Sequence, residues 1–306
     1  MPFPTPHLDK LTKTLENEKL PKSDAARLKS ALERYYEWTK KLDAVRGSRD
    51  EIIEESVRLL NEYRLYVDVE LIFDSEDDFL YRQKGQLKLD NSVVEEFLPR
   101  LIQPEVIPAL KNMHVEVGPR NSFASAFFVS SLDVPQLGGG LNIREKNQDF
   151  AISKPLYIMT SHSPGFERDK SETAMTNITY VAAECKTNLD KTMFQEACAT
   201  ARDTKFAVSG AHYYLMSEWL DMSPLSTAAT DIDEVILLRK AKRISANIRA
   251  AFSISKRRKE SRQAYIDYLS GYPFRPEMFK RFVGHVEKLI KNEAPVERDV
   301  LEHGYF

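Results

Sequence analysis

Around Met113 the chain changes its hydrophobic period. Before it apolar residues return every three or four positions, and after it they alternate. Side chains repeat direction every 3.6 residues on a helix and every two on a strand, so the change predicts helices first and a sheet after. Over 5–67 the stretches LTKTLENEKL, SDAARLKSALERYYEWTKKLDAV and SRDEIIEESVRLLNEYRLYVDVELIF read as helices. Ser23 stands ahead of a stripe of Ala26, Leu28, Leu32 and Tyr36, and Ser48 with Glu51 forms a capping box. The acidic DSEDDF at 74–79 reads as a solvated turn, since it lacks the spacing and glycine of a calcium loop. DFLYRQKGQLKLD suggests a short hairpin about Gly85, and NSVVEEFLPRLIQPEVIPALK a helix broken at Pro104 and Pro108.

Beyond Met113 the strand candidates are HVEVGPR, SFASAFFVSSLD, QDFAISKPLYIMTS, NITYVAAECKT, FAVSGAHYYLMSEWLD and DEVILLRKAK. One helix, DKTMFQEACATARD, lies among them, with Leu189, Met193, Ala197 and Ala201 on one stripe, and KESRQAYIDYLSGYPF and RPEMFKRFVGHVEKLIKN return to helix. The fold class expected is α/β (α+β): a mainly helical region over 1–112, then a central mixed sheet flanked by helices over 113–306 with a helical tail. The glycines of VPQLGGGLNIRE read as a turn.

Composition removes several classes of function. The net charge of -2 gives no global signal for nucleic acid, so a basic surface has to come from local clustering. Two cysteines, Cys185 and Cys198, both in apolar patterns, make no disulfide framework, and the six histidines show no zinc spacing. The start MPFPTPHLDK lacks a secretory pattern and no run approaches a membrane span, so a cytoplasmic protein with no membrane partner is expected.

In YVAAECKTNLDK, alternation puts Glu184 and Lys186 on one face and Val181, Ala183 and Cys185 on the other. Ile178, Tyr180 and Ala182, on the charged face, are also apolar, so the strand reads as buried on both sides. Charges at the end of a buried strand cost several kcal/mol unless partnered, which favours a site over a surface ion pair. Asp149 opens QDFAISKPLYIMTS with Phe150 and Ile152 on the opposite face. If that strand pairs beside NITYVAAECK, Asp149, Glu184 and Lys186 share one sheet edge. Two carboxylates can hold a hard divalent cation, and a lysine can orient or deprotonate a water, which is what metal-assisted phosphodiester hydrolysis needs.

Asp149, then Glu184-Cys185-Lys186 on a strand that runs into a helix, resembles the PD-(D/E)xK nuclease core. AAECKTNLDKTMFQEACATARD and AHYYLMSEWLDMSP more narrowly resemble the BbvCI-like two-subunit type II restriction endonucleases. The resemblance implies Mg²⁺-dependent cleavage of double-stranded DNA, Asp149 and Glu184 as metal ligands, Lys186 as the water-positioning base, and a second related subunit or a second copy as partner. It makes 113–306 the catalytic core and 1–112 a DNA clamp or subunit interface. Gln148 stands where the signature has proline. Gln195, on the following helix, is a possible accessory contact.

Rival acids are Glu145, Glu167, Asp169 and Glu172, the last three in a Ser-rich segment read as loop, and Asp203-Thr204-Lys205 repeats the D-x-K pattern at a helix end. For phosphate contact the chain offers RKAKRISANIRAAFSISKRRK, with Arg239, Lys240, Lys242, Arg243, Arg249, Lys256, Arg257, Arg258 and Lys259 and no acid. Asn247, Arg249, Arg120 and Asn121 have donor geometry suited to base edges. Other functions compatible with these residues are a catalytically inert recognition or partner subunit of the same fold, and a repair or phage-defence nuclease.

Overall fold

A computed structural model describes residues 3–290 and 297–304. Three helices come first, α1 (Pro6–Leu15), α2 (Lys22–Ala44) and α3 (Arg49–Tyr66), and α3 runs directly into a π-helical segment, Val67–Phe73. The Ser48 hydroxyl accepts from the Glu51 backbone while the Glu51 carboxylate accepts from the Ser48 N–H, so the capping box forms as its spacing predicts. The α2 stripe is rotated from the expected one: Leu28, Ala31, Tyr35, Trp38 and Leu42 face inward, whereas Tyr36 is exposed. Steps of four overshoot a 3.6-residue turn, and alternating threes and fours keep a stripe on one face. Ser23 does not cap α2; its hydroxyl donates to Asp77.

The acidic turn is neutralised from across the fold: Asp74 pairs with Arg262, and Asp78 with Arg258. The expected hairpin about Gly85 is instead a helix, α4 (Phe79–Leu87), which ends with Lys88 in the left-handed conformation. Helix α5 (Ser92–Leu101) is buried along its whole length, which obliges its two glutamates to find partners. Glu96 accepts from the backbone of His7 and Leu8 and from the Tyr35 hydroxyl. Glu95 accepts from Lys88 and Asn91.

Five strands follow in sheet order β1 (Glu116–Phe128), β2 (Leu141–Ser161), β3 (Ser171–Leu189), β4 (His212–Leu220) and β5 (Glu234–Lys242). The β1/β2 and β2/β3 pairs are antiparallel and the β3/β4 and β4/β5 pairs parallel. Parallel neighbours need a crossover, supplied between β3 and β4 by helix α6 (Lys191–Ala207), whose N-terminus Asp190 caps. Strand β1 is one element where two were expected, and β2 and β3 begin earlier than their expected stretches, so Glu172 lies on β3 rather than in a loop. The glycine run is a turn as expected: Gly140 has φ +66°, and a side chain there would strike the Val129 carbonyl. Helices α7 (Ala246–Ala251), α8 (Ser255–Gly271), α9 (Pro276–Ile290) and α10 (Glu297–His303) complete the described residues. The expected tail helix extends to Lys291 and Asn292, which lie outside them.

One face of the sheet, with Phe150, Val181, Cys185, Met216 and Leu238, shares a core with α2, α3, α5 and α9. The other, with Ala182, Tyr213 and Leu215, packs on Phe194, Ala197 and Ala201 of α6. A buried ionic cluster joins helix to sheet: Arg64 of α3 pairs with Asp68 and with Glu218 of β4 (3.0 Å), and Glu218 also takes Arg239 of β5 (3.2 Å). Such a cluster holds only while each charge keeps its partners.

Candidate active site

The strand that carries Glu184 and Lys186 is central, with β2 on one side and β4 on the other. Phe150 of β2 lies opposite Ala183, so the next residue outward, Asp149, falls beside Glu184. A β-bulge places it there. Gly118 pairs with Ala151 and Arg120 with Gln148, leaving Pro119 alone opposite both Asp149 and Phe150. Proline has no N–H to give the ladder, and the additional residue on β2 bends the strand and re-aims its side chains. Gln148, in the position of the signature proline, is buried and donates to Thr204 on α6 (3.1 Å), tying β2 to the helix.

Asp149 Oδ2 accepts from the backbone N–H of Cys185 at 3.0 Å, and its Oδ1 faces Lys88 Nζ at 3.3 Å. Glu184 Oε1 pairs with Lys186 Nζ at 2.7 Å, and Oε2 accepts from the Tyr213 hydroxyl at 2.8 Å. Asp149, Glu184, Cys185 and Lys186 line a cleft of about 470 Å³ that also takes in Lys88, Asn188, Thr187 and Arg243. Asp149, Glu184 and Lys186 are therefore brought together. Gln195 is not: it is exposed on α6 and does not line the cleft, which Met193 and Thr200 do. Of the rival acids, Glu145 accepts from Thr176 and Asn121, Glu172 from the Leu141 N–H, and Asp203 pairs with Arg144 and Lys146. None of the rivals, nor Glu167 or Asp169, lines the cleft.

Three participants carry no motif: Lys88, Glu95 and Tyr213. Lys88 spans Asp149 and Glu95, which it reaches from the left-handed residue ending α4. Burial and the neighbouring Asp149 carboxylate raise the Glu95 pKa to about 7. Burial opposes the charges on Lys88 and Lys186, yet both pKa values are raised, through Asp149 and Glu95 for the first and Glu184 for the second. Tyr213 is pushed up by burial and by Glu184, and Cys185 by burial. The only sign of Tyr213 was its place in the apolar AHYYLM stretch, which predicts burial but not a hydroxyl aimed across the sheet.

The donor set can be tested against Mg²⁺. Among the described residues no three His, Cys, Asp or Glu side chains converge as a metal cluster. Two carboxylates, Asp149 and Glu184, border one cleft open to water and phosphate. That suits Mg²⁺, which binds through one or two carboxylates and completes its shell with water and phosphate oxygens. Each of these acids already faces a lysine, so the charge that a cation would neutralise is present and compensated.

The basic stripe over 239–259 is not a single surface. Arg239 is buried against Glu218, and Arg258 is buried with its guanidinium bonded to the carbonyls of Phe73, Ser75 and Phe252, so neither can reach DNA. Strand alternation turns Arg239 into the ionic cluster, and the inner face of α8 carries Arg258. Lys240 pairs with Glu277, while Arg243 and Arg249 meet Asp221. Lys242, Lys256 and Arg257 are exposed, as is Lys259, which lies 3.5 Å from Glu76. Arg120 pairs with Glu116. Among the described residues no helix is long and apolar enough to cross a membrane.

The family model described as "Bpu10I restriction endonuclease" matches residues 86–306, well over half of the chain. No curated protein matches. Among solved structures, "native BbvCI A2B2 tetramer at low resolution" matches over 88% of this chain and 98% of that one, with 19% identity and a TM-score of 0.53. That likeness concerns the fold.

Proposed function

Since the chain belongs to the Bpu10I restriction endonuclease family, we propose that it is a catalytic subunit of a type II restriction enzyme, hydrolysing phosphodiester bonds of double-stranded DNA with Mg²⁺. The observation that carries the proposal is the Asp149 carboxylate held on the Cys185 N–H, between Glu184 and Lys186. Asp149 and Glu184 would hold the cation, which when bound supplies positive charge to the phosphate and acidity to a water. Both acids are pre-aimed, Asp149 by the Cys185 N–H and Glu184 by the Tyr213 hydroxyl. Lys186 pairs with Glu184 at 2.7 Å, on the same side of the cleft as the two acids. From there it would orient the attacking water or take its proton, and its ammonium form would offset charge on the phosphate. Lys88 offsets the charge of Asp149 from the opposite wall.

The structural relative named above is an A2B2 assembly, which supports the reading that this chain works with a second, related subunit, or failing that with a second copy of itself. Digestion of a plasmid by the purified chain with Mg²⁺, followed by sequencing of the ends, tests these points together. Cuts at a fixed sequence on both strands indicate a self-sufficient enzyme, and nicks on one strand a missing partner. A protein that neither nicks nor linearises, alone or with its partner, overturns the proposal in favour of an inert subunit.

A further inference from the structure

Beside the proposed cleavage cleft lies a second cavity of about 390 Å³, within the range of about 300–1,000 Å³ of small-molecule sites. The two adjoin, because Asp90, Thr187 and Arg243 line both, and Thr187 directly follows Lys186. The inner wall of this cavity is polar and buried: Arg64 is 1% exposed and Asp68 5%. Arg64 gives its terminal nitrogens to Asp68 and Glu218, but its Nε–H is buried without a hydrogen-bond partner. Such a donor is costly to leave unmade and marks a place where an acceptor is missing. The side walls are aromatic, with Trp219 and Tyr268 stacked on each other and Tyr265 stacked on Phe73, and at the mouth two partly exposed arginines, Arg243 and Arg249, share one acid, Asp221.

Aromatic walls, a buried edge offering a donor beside a carboxylate, and a mouth with two arginines to one aspartate together suit a planar ring with a polar rim and an attached phosphate. We infer that this cavity receives one nucleobase swung out of the bound DNA, next to the nucleotide whose phosphate is cut. The inference rests on the nuclease reading, which brings DNA into the adjoining cleft. The face of Tyr265 opposite Phe73 replaces the stacking that the base loses, Arg64 and Asp68 meet its hydrogen-bonding edge, and Arg243 spans the two sites beside the backbone.

The test uses a duplex carrying the sequence at which the enzyme cuts, bound with Ca²⁺ in place of Mg²⁺, in the enzyme's active assembly. A mismatch is placed at each position in turn. Unpairing is already accomplished at a mismatch, so at one position binding should tighten by about tenfold. In a Trp38→Phe variant Trp219 is the sole tryptophan. Its emission should be quenched by the intact duplex and not by one that is abasic at that position. Ala250→Trp, which fills the mouth, should abolish the mismatch preference with thermal unfolding unchanged. If the enzyme cuts its site yet no position responds, or if only free mononucleotides quench Trp219, this inference is overturned and the nuclease reading stands. A protein that neither cuts nor binds DNA overturns both.

Discussion

Asp149 accepts the backbone N–H of Cys185, the residue between Glu184 and Lys186. The carboxylate is thus fixed to the strand that bears the other two groups of the site. Asp149→Asn keeps an oxygen for that N–H and should unfold close to the wild-type temperature. Asp149→Ala strands the donor and should cost about 1–3 kcal/mol. Both should cut DNA more slowly by on the order of 10²–10³. Denaturation and plasmid assays on the pair separate the two roles, and an Asn variant that cuts at full rate would remove Asp149 from the chemistry.

Glu184→Ala should abolish cutting while DNA binding, carried by basic groups elsewhere, persists in a gel-shift assay. Tyr213→Phe removes only the hydroxyl that aims Glu184. It should lower the cleavage rate by roughly tenfold, equivalent to about 1.4 kcal/mol, with little change in affinity. Equal loss of binding in both variants would point to a fold defect rather than to catalysis.

The pH dependence of stability should reveal two opposed buried groups. Glu95 has its pKa raised to about 7, so the native state holds its proton where the unfolded chain has released it. Its stabilising contribution is complete below about pH 4.5 and is lost as pH rises to 7. His7, buried against Ser92 and Tyr63, has its pKa lowered to about 3 by burial and Arg64. Its neutral form is kept without cost above pH 6.5, and stability falls as the pH drops toward 3. Glu95→Gln should therefore gain stability on wild type as pH rises from 4.5 to 7, whereas His7→Gln should gain on it as pH falls below 6.5. Parallel melting curves for wild type and Glu95→Gln across that range would refute the first assignment.

Neighbours in one basic run should behave differently. Arg239→Ala leaves Glu218 short of a partner in the buried cluster and should destabilise by about 3–5 kcal/mol. Lys256→Ala and Arg257→Ala should leave stability within about 0.5 kcal/mol. Each should weaken DNA binding and reduce the salt slope by about one unit if it neutralises a phosphate. Unchanged salt slopes in both would place the duplex elsewhere.

How far the sequence could be read follows from which interactions are local. The capping box at Ser48, the inward turn of Ala197 and Ala201 on α6 and the Glu184–Lys186 alternation depend on residues a few positions apart, although Leu189, expected on the same stripe, ends β3. Lys88 and Asp149 are 61 residues apart, and no pattern in KLDNSVVEEF announces that a lysine in the left-handed conformation will reach across. Alternation also failed within β3. Ile152 pairs with Val181 but Ser153 with Thr179, so Tyr180 is an additional residue and its ring is partly exposed instead of sharing the buried face. The basic run misled because adjacency along a chain says nothing about which charges a strand or helix turns inward, as Arg239 and Arg258 show.

The additional residues at Asp149–Phe150 and at Tyr180 act as fixed marks on the long antiparallel strands. Between them and Cys185 the alignment of β2 with β3 is set by proline chemistry and buried packing, while the segment that joins their far ends, 164–170, is exposed to solvent. Lengthening or shortening that outer hairpin by matched pairs would leave the three charged groups where they are. Homologous chains can therefore vary in the reach of this arm, and with it in what they touch, without retuning the place where the bond is broken.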